Sequence, residues 1–153
     1  MAASRRATLS LLARMPERDL LRRRTQGRWS VKDVLAHIAA WEAEGVHRLR
    51  LIAKGRGHRI HFYEDMREVD RFNARAVAAA RPMSLAALLR RAADVRRRLV
   101  AELRRLPAHA LRDRSHEVPV VGWLPAFAWT HERGHLREIK AWWRRRGRGS
   151  RAP

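Results

Sequence analysis

Apolar residues return every three or four positions through most of this chain, and that period confines it to helices. The clearest case is the seam Leu85, Leu88, Ala92, Val95, Leu99, Leu103 and Leu106. The opposite face carries Arg90, Arg91, Arg97, Arg98, Arg104 and Arg105 and reads as solvated. Ser84 caps this helix after Arg81-Pro82, and Pro107 ends it. An earlier helix begins after Trp29-Ser30-Val31-Lys32-Asp33, where Ser30 and Asp33 can form a capping box and Trp29 and Val34 stand at the staple positions. Its stripe of Val34, His37/Ile38, Trp41, Leu49 and Ile52 runs to about Ala53, and Gly45 offers room for a close neighbour. After a loop marked by Gly55 and Gly57, Phe62–Ala80 reads as a helix with Phe62, Met66, Val69, Ala76, Val77 and Ala80 inward. Pro125 suits the first turn of a final helix reaching about Arg146.

The remaining segments are shorter. Ala7–Met15 reads as a short helix with Leu9 and Leu12 inward, followed by a helical turn from Pro16 to near Arg24. Ala108–Trp123 reads as a long connection, since Val118–Val121 is too short and too interrupted by Pro119 for a strand. The expected fold is therefore all-α: an antiparallel four-helix bundle with a short extra N-terminal helix. At 153 residues the chain suits one domain, expected over 1–147, with a disordered basic tail over 148–153.

Composition narrows the chemistry. There is no cysteine, so disulfides and thiolate metal sites are excluded and any metal needs nitrogen or oxygen ligands. No apolar run approaches the roughly 20 residues of a membrane span, so no membrane partner is expected. Met1–Arg24, rich in Arg, Ala and Ser, is faintly like a transit peptide, but with Pro16, Glu17 and Asp19 it reads as a first helix and a turn, and the expected location is cytoplasmic. The net charge of +20 permits nucleic-acid binding. That partner is not favoured. Nearly all the cations are arginine, which with alanine has GC-rich codons, and no helix-turn-helix, zinc-finger or RNA-binding pattern is present. The Trp142-Trp143 pair leaves room for a homodimer, one ring in the core and the other at an interface.

The chemistry concentrates at His131-Glu132-Arg133-Gly134-His135. Two imidazoles four residues apart share a helix face, and Ala128 and Trp142 turn that face inward. The string matches the zincin H-E-x-x-H pattern. Here, though, only Glu138 follows as a possible downstream acid, the metzincin continuation is missing, and no sheet is available to hold a peptide. A third ligand from another helix fits better, and His37 lies on the inward stripe of its own. Three neutral imidazoles suit Zn²⁺, Ni²⁺ or Fe²⁺ and leave a coordination position open. Taken singly, each histidine reads as an ordinary buried residue; three inward ones are harder to satisfy without a cation. Glu132 points about 100° around the helix from His131. It reads as a catalytic base or, more simply, as the partner of a nearby arginine. Asp70 and Asn73, with Trp41 and the sole tyrosine, Tyr63, are the candidate substrate-pocket residues.

The block from Trp29-Ser30-Val31-Lys32-Asp33 through His37 to Trp41-Glu42, with His131-x-x-x-His135 far downstream, resembles the DinB-like superfamily of four-helix bundles. Val69-Asp70-Arg71-Phe72-Asn73 and Trp41-Glu42 look like its ClbS/DfsB branch. The resemblance covers about residues 7–143. It implies one divalent metal, Zn²⁺ or Ni²⁺, on His37, His131 and His135. Some relatives are transferases or isomerases that use a low-molecular-weight thiol, and ClbS-like relatives hydrolyse a strained ring in a genotoxic metabolite. The implied function is a metal-dependent hydrolase or thiol-dependent transferase acting on a small electrophile, with detoxification as its role. On that reading the arginines favour anionic substrates or an anionic thiol. The alternative is a non-catalytic bundle that sequesters a small molecule or binds nucleic acid.

Overall fold

The structure, a computed structural model, describes residues 2–23, 25–113 and 117–149. Among the described residues seven α-helices follow in order: α1 (Ala2–Leu12), α2 (Glu17–Leu20), α3 (Val31–Ala53), α4 (Met66–Ala80), α5 (Leu85–Arg105), α6 (Val120–Phe127) and α7 (Trp129–Gly149). Single 3₁₀ turns lie at Gly57–Arg59 and Ala108–Leu111. There is no strand among the described residues, only one isolated bridge between Gln26 and Trp29.

Helix α3 is the axis. It starts where the sequence requires: the Ser30 hydroxyl accepts from the Asp33 amide, and the Asp33 carboxylate accepts from the Ser30 amide at 2.9 Å. Helix α4 lies antiparallel along it, Lys32 meeting Arg81 and Trp41 meeting Asn73. Helix α5 runs parallel to it, with Glu42 against Arg96 and Arg50 against Glu102. The two helices pack closely at Gly45, where an added Cβ would lie 3.1 Å from the Leu99 methyl. Helix α7 is antiparallel to α3, and α1 packs along α7.

Two apolar clusters fill the interior. One gathers Leu11, Leu12, Met15, Leu20, Val31, Val34, Leu88, Leu136 and Ile139. The other gathers Val46, Leu49, Leu99, Val120, Trp123, Leu124 and Ala128. A fully buried leucine such as Leu49 or Leu99 contributes about 1.5–3 kcal/mol relative to exposure. The waist between the clusters holds the buried His37, Glu42, Arg96 and Glu132, from α3, α5 and α7.

Several expectations are corrected. Helix α4 starts at Met66, not Phe62, because the Asp65 carboxylate caps it by accepting from the Glu68 amide. Met66 is therefore on the first turn and exposed, while Phe62 packs against the second cluster from extended chain. Helix α1 spans Ala2–Leu12 rather than 7–15, and its inward face is Ser4, Thr8, Leu11 and Leu12; Leu9 is exposed. The long connection before Trp123 contains a helix, α6, which begins after Pro119. Pro125 lies inside α6, and Ala128, outside helical dihedrals at φ −122° and ψ −101°, separates it from α7. Trp142 and Trp143 are both half-buried against the first cluster. Of the expected disordered tail, Arg148 and Gly149 belong to α7, and 150–153 lie outside the described residues.

Candidate metal centre

Helices α3 and α7 bring the three histidines together. The capping box fixes where α3 starts, so His37 falls on the inward stripe two turns in. Spacing of four places His131 and His135 on one face of α7. His131 Nε2 lies 2.8 Å from His37 Nε2 and 2.9 Å from His135 Nε2. One ring nitrogen has either one hydrogen or one lone pair, so protons alone satisfy one of those contacts well and leave the other poor. A cation among the three nitrogens satisfies both. The set could hold a metal ion, and it is the one His/Cys/Asp/Glu group of that kind found among the described residues.

The surroundings suit neutral ligands. His37 is buried, and His131 and His135 are half-buried. Burial pushes the pKa of His37 down to about 3, helped by the charges that His131 and His135 would carry. It pushes His131 down to about 4, with His135 adding to the effect. His135 is also lowered by burial, opposed by the Glu138 carboxylate. At neutral pH all three present lone pairs, the form a metal requires. The Nδ1 atoms of His37 and His131 are buried without a hydrogen-bond partner among the described residues.

Two parts of the surround were not legible as such. Gln26, in the tight turn before α3, has its side-chain amide against His135 Nδ1, with Oε1 at 3.0 Å and Nε2 at 2.8 Å. When Nδ1–H donates to that oxygen, the Nε2 lone pair is left facing the other histidines. Trp29, from the same turn, packs its ring 4.8 Å from His37, and Trp41 meets His37 and His131 edge-on at 6.4 Å. Nothing in the sequence marks Gln26, because its partner is 109 residues away.

Glu132 lies elsewhere in the waist. Ser4 donates to its Oε2 at 2.8 Å, Arg96 reaches the same oxygen at 2.9 Å, and Arg5 approaches its Oε1 at 2.8 Å. Arg5 and Arg96 also pair with Glu42, giving a buried cluster of two arginines and two glutamates. Burial raises the pKa of Glu42 against the pull of the arginines. Burial works against the Arg96 charge, but Glu42 and Glu132 outweigh it and hold the guanidinium charged. A signal existed: Arg96 is four residues after Ala92 and three before Leu99, on the apolar seam. Arg48 was hidden likewise. It is buried beneath Phe62 and Phe127, donating to Glu44 at 2.8 Å and to the His61 carbonyl at 2.8 Å.

The structure divides the candidate pocket residues. Trp41 is buried and donates its indole N–H to Asn73 Oδ1 at 3.0 Å. Asp70 and Asn73 line a cleft of about 540 Å³ between α4 and Arg23, Arg28 and Trp29. Tyr63 lines a different, polar cleft beside Glu44 and Glu68, and burial raises its pKa.

The family model of the DinB superfamily matches residues 1–139. The chain therefore belongs to the DinB superfamily, whose bundle fold is the one observed here. Searches of curated proteins and of solved structures gave no match. No described helix is long and apolar enough to cross a membrane.

Proposed function

We propose that this DinB-superfamily chain is a divalent-metal protein that acts on a small electrophile, by hydrolysis or by thiol transfer. One observation carries the reading: three Nε2 atoms from two helices meet around His131 with no carboxylate in the set. Uncharged nitrogen ligands favour Zn²⁺ or Ni²⁺. Such an ion supplies Lewis-acid polarisation and a nucleophile available at neutral pH.

The chain's own residues do the rest. His37, His131 and His135 hold the ion, and Gln26 fixes the ring of His135. Trp29 and Trp41 pack against the His37 ring. Asp70 and Asn73 face the adjoining cleft and are the residues placed to orient a polar substrate. No step is assigned to Glu132, whose oxygens are taken up by Arg5, Arg96 and Ser4. Hydrolysis of a strained ring is the form that the ClbS/DfsB resemblance favours.

The test is metal content. Untagged protein, purified without chelator, should carry about one equivalent of Zn²⁺ or Ni²⁺ by mass spectrometry, and His131→Ala should carry close to none. Absence of metal in the parent, even after reconstitution near neutral pH, would sink the proposal.

A further inference from the structure

The cleft between α4 and Arg23, Arg28 and Trp29 gathers arginines in a concavity. Arg23 and Arg28 line it from one side and Arg81 from the other, with Trp29 and Asn73 between. All three arginines are exposed, and none has an ion pair among the described residues. Among the described residues some arginines elsewhere have an acidic partner, and others, such as Arg90 and Arg104 on the outer face of α5, stand singly toward solvent. Arg98 meets Asp94, Arg50 meets Glu102 and Arg146 meets Asp19. The cleft beside Tyr63 carries Glu44 and Glu68 among its own cations. In the α4 cleft a single carboxylate, Asp70, faces three guanidinium groups, leaving an excess of positive charge in a concavity large enough for a small molecule.

Position gives that charge a purpose. Trp29 packs on His37, and Asn73 holds the Trp41 ring that meets His37 and His131. Trp29 therefore belongs both to the cleft and to the surround of the histidine centre, and Asn73 reaches that surround through Trp41. Guanidinium forks bind carboxylates and phosphates in two-pronged fashion, and a half-buried indole offers a flat apolar face. We infer that this cleft binds the anionic end of the substrate, a carboxylate or phosphate carried on a small, flat apolar body. The inference rests on the metal-centre reading for the word substrate, but the anion site stands or falls by itself.

Phenyl phosphate is a suitable probe, titrated calorimetrically into the purified full chain at low and physiological salt. Arg28→Ala/Arg81→Ala should weaken its binding by about tenfold or more. Arg90→Ala/Arg104→Ala removes the same charge from the solvated face of α5 and should change it by less than about twofold. Equal losses in both variants would show a generic charge effect and overturn the site. So would an absence of binding below about 10 mM in the parent. A single-stranded oligonucleotide that loses affinity only in the cleft variant, with no phenyl phosphate binding, would overturn it in favour of nucleic acid. Metal content measured on the same samples separates the two readings. Metal-free parent that still binds phenyl phosphate through Arg28 and Arg81 keeps the anion site and removes the metal centre.

Discussion

The waist of the bundle holds two polar groups that share α3 and α7, one of them joined by α1 and α5, and they are built on opposite plans. The ion cluster is neutralised within the chain: Arg5 and Arg96 face Glu42 and Glu132, charges cancel, and Ser4 adds a hydrogen bond. The histidine centre is incomplete: three bases converge with no acid and too few protons for their contacts. A complete cluster ties helices together, because each charge already has its partner. An incomplete one is a place for something from outside. Glu132 lies between His131 and His135 in sequence yet belongs to the other group, so a one-residue step around α7 separates structure from chemistry.

Acid should separate the two by most. The histidines have folded pKa values of about 3 and 4 for His37 and His131, against 6.5 when unfolded. Their contribution is full above pH 6.5 and falls as pH drops toward those values, because the unfolded chain takes up protons first. Glu42 runs the other way: its folded pKa is raised, so its contribution is greatest in acid and falls as pH rises. Denaturation of metal-free protein across pH should show stability lost below about pH 6.5, and His131→Asn should flatten that loss while Glu42→Gln leaves it.

The cluster is broken next. Arg96→Met leaves two buried carboxylates short of a partner and should cost about 3–5 kcal/mol in urea denaturation. Replacing Arg5, Glu42, Arg96 and Glu132 together with apolar residues should cost far less, since no charge is then stranded. A similar cost for both would mean that the cluster matters for packing rather than for charge.

The metal side is sharpened by Gln26→Leu. It should keep the fold and weaken metal binding by about 10–100-fold in competition with a chelating dye, with Gln26→Glu retaining more affinity. Unchanged affinity in the leucine variant would remove Gln26 from the site. The smallest effect marks the baseline for both regions. Arg98→Ala breaks an exposed pair with Asp94 and should change stability by less than about 0.5 kcal/mol.

Much of this was legible in the chain, and the gaps follow a pattern. The three-and-four spacing on α3 and α5, the Ser30–Asp33 capping box and the His131/His135 pair are local signals, and each appears in the fold as read. Boundaries were misplaced where a cap competed with a continuing apolar stripe, as at Asp65, or where proline permitted either of two helices, as at Pro125. Arg48 and Arg96 were missed because seams were traced through apolar residues alone.

The sequence by itself determined that the chain is helical, where its strongest helices start, and that His131 and His135 share a face, because those follow from backbone periodicity and caps within a few residues. Only the tertiary structure decided that His37 meets them, that Glu132 turns to Arg5 and Arg96, that Gln26 holds His135, and that Arg23, Arg28 and Arg81 share one cleft. Those depend on how α1, α3, α5 and α7 pack against one another. Packing is set by the fit of whole buried faces, and no short stretch of sequence contains that fit.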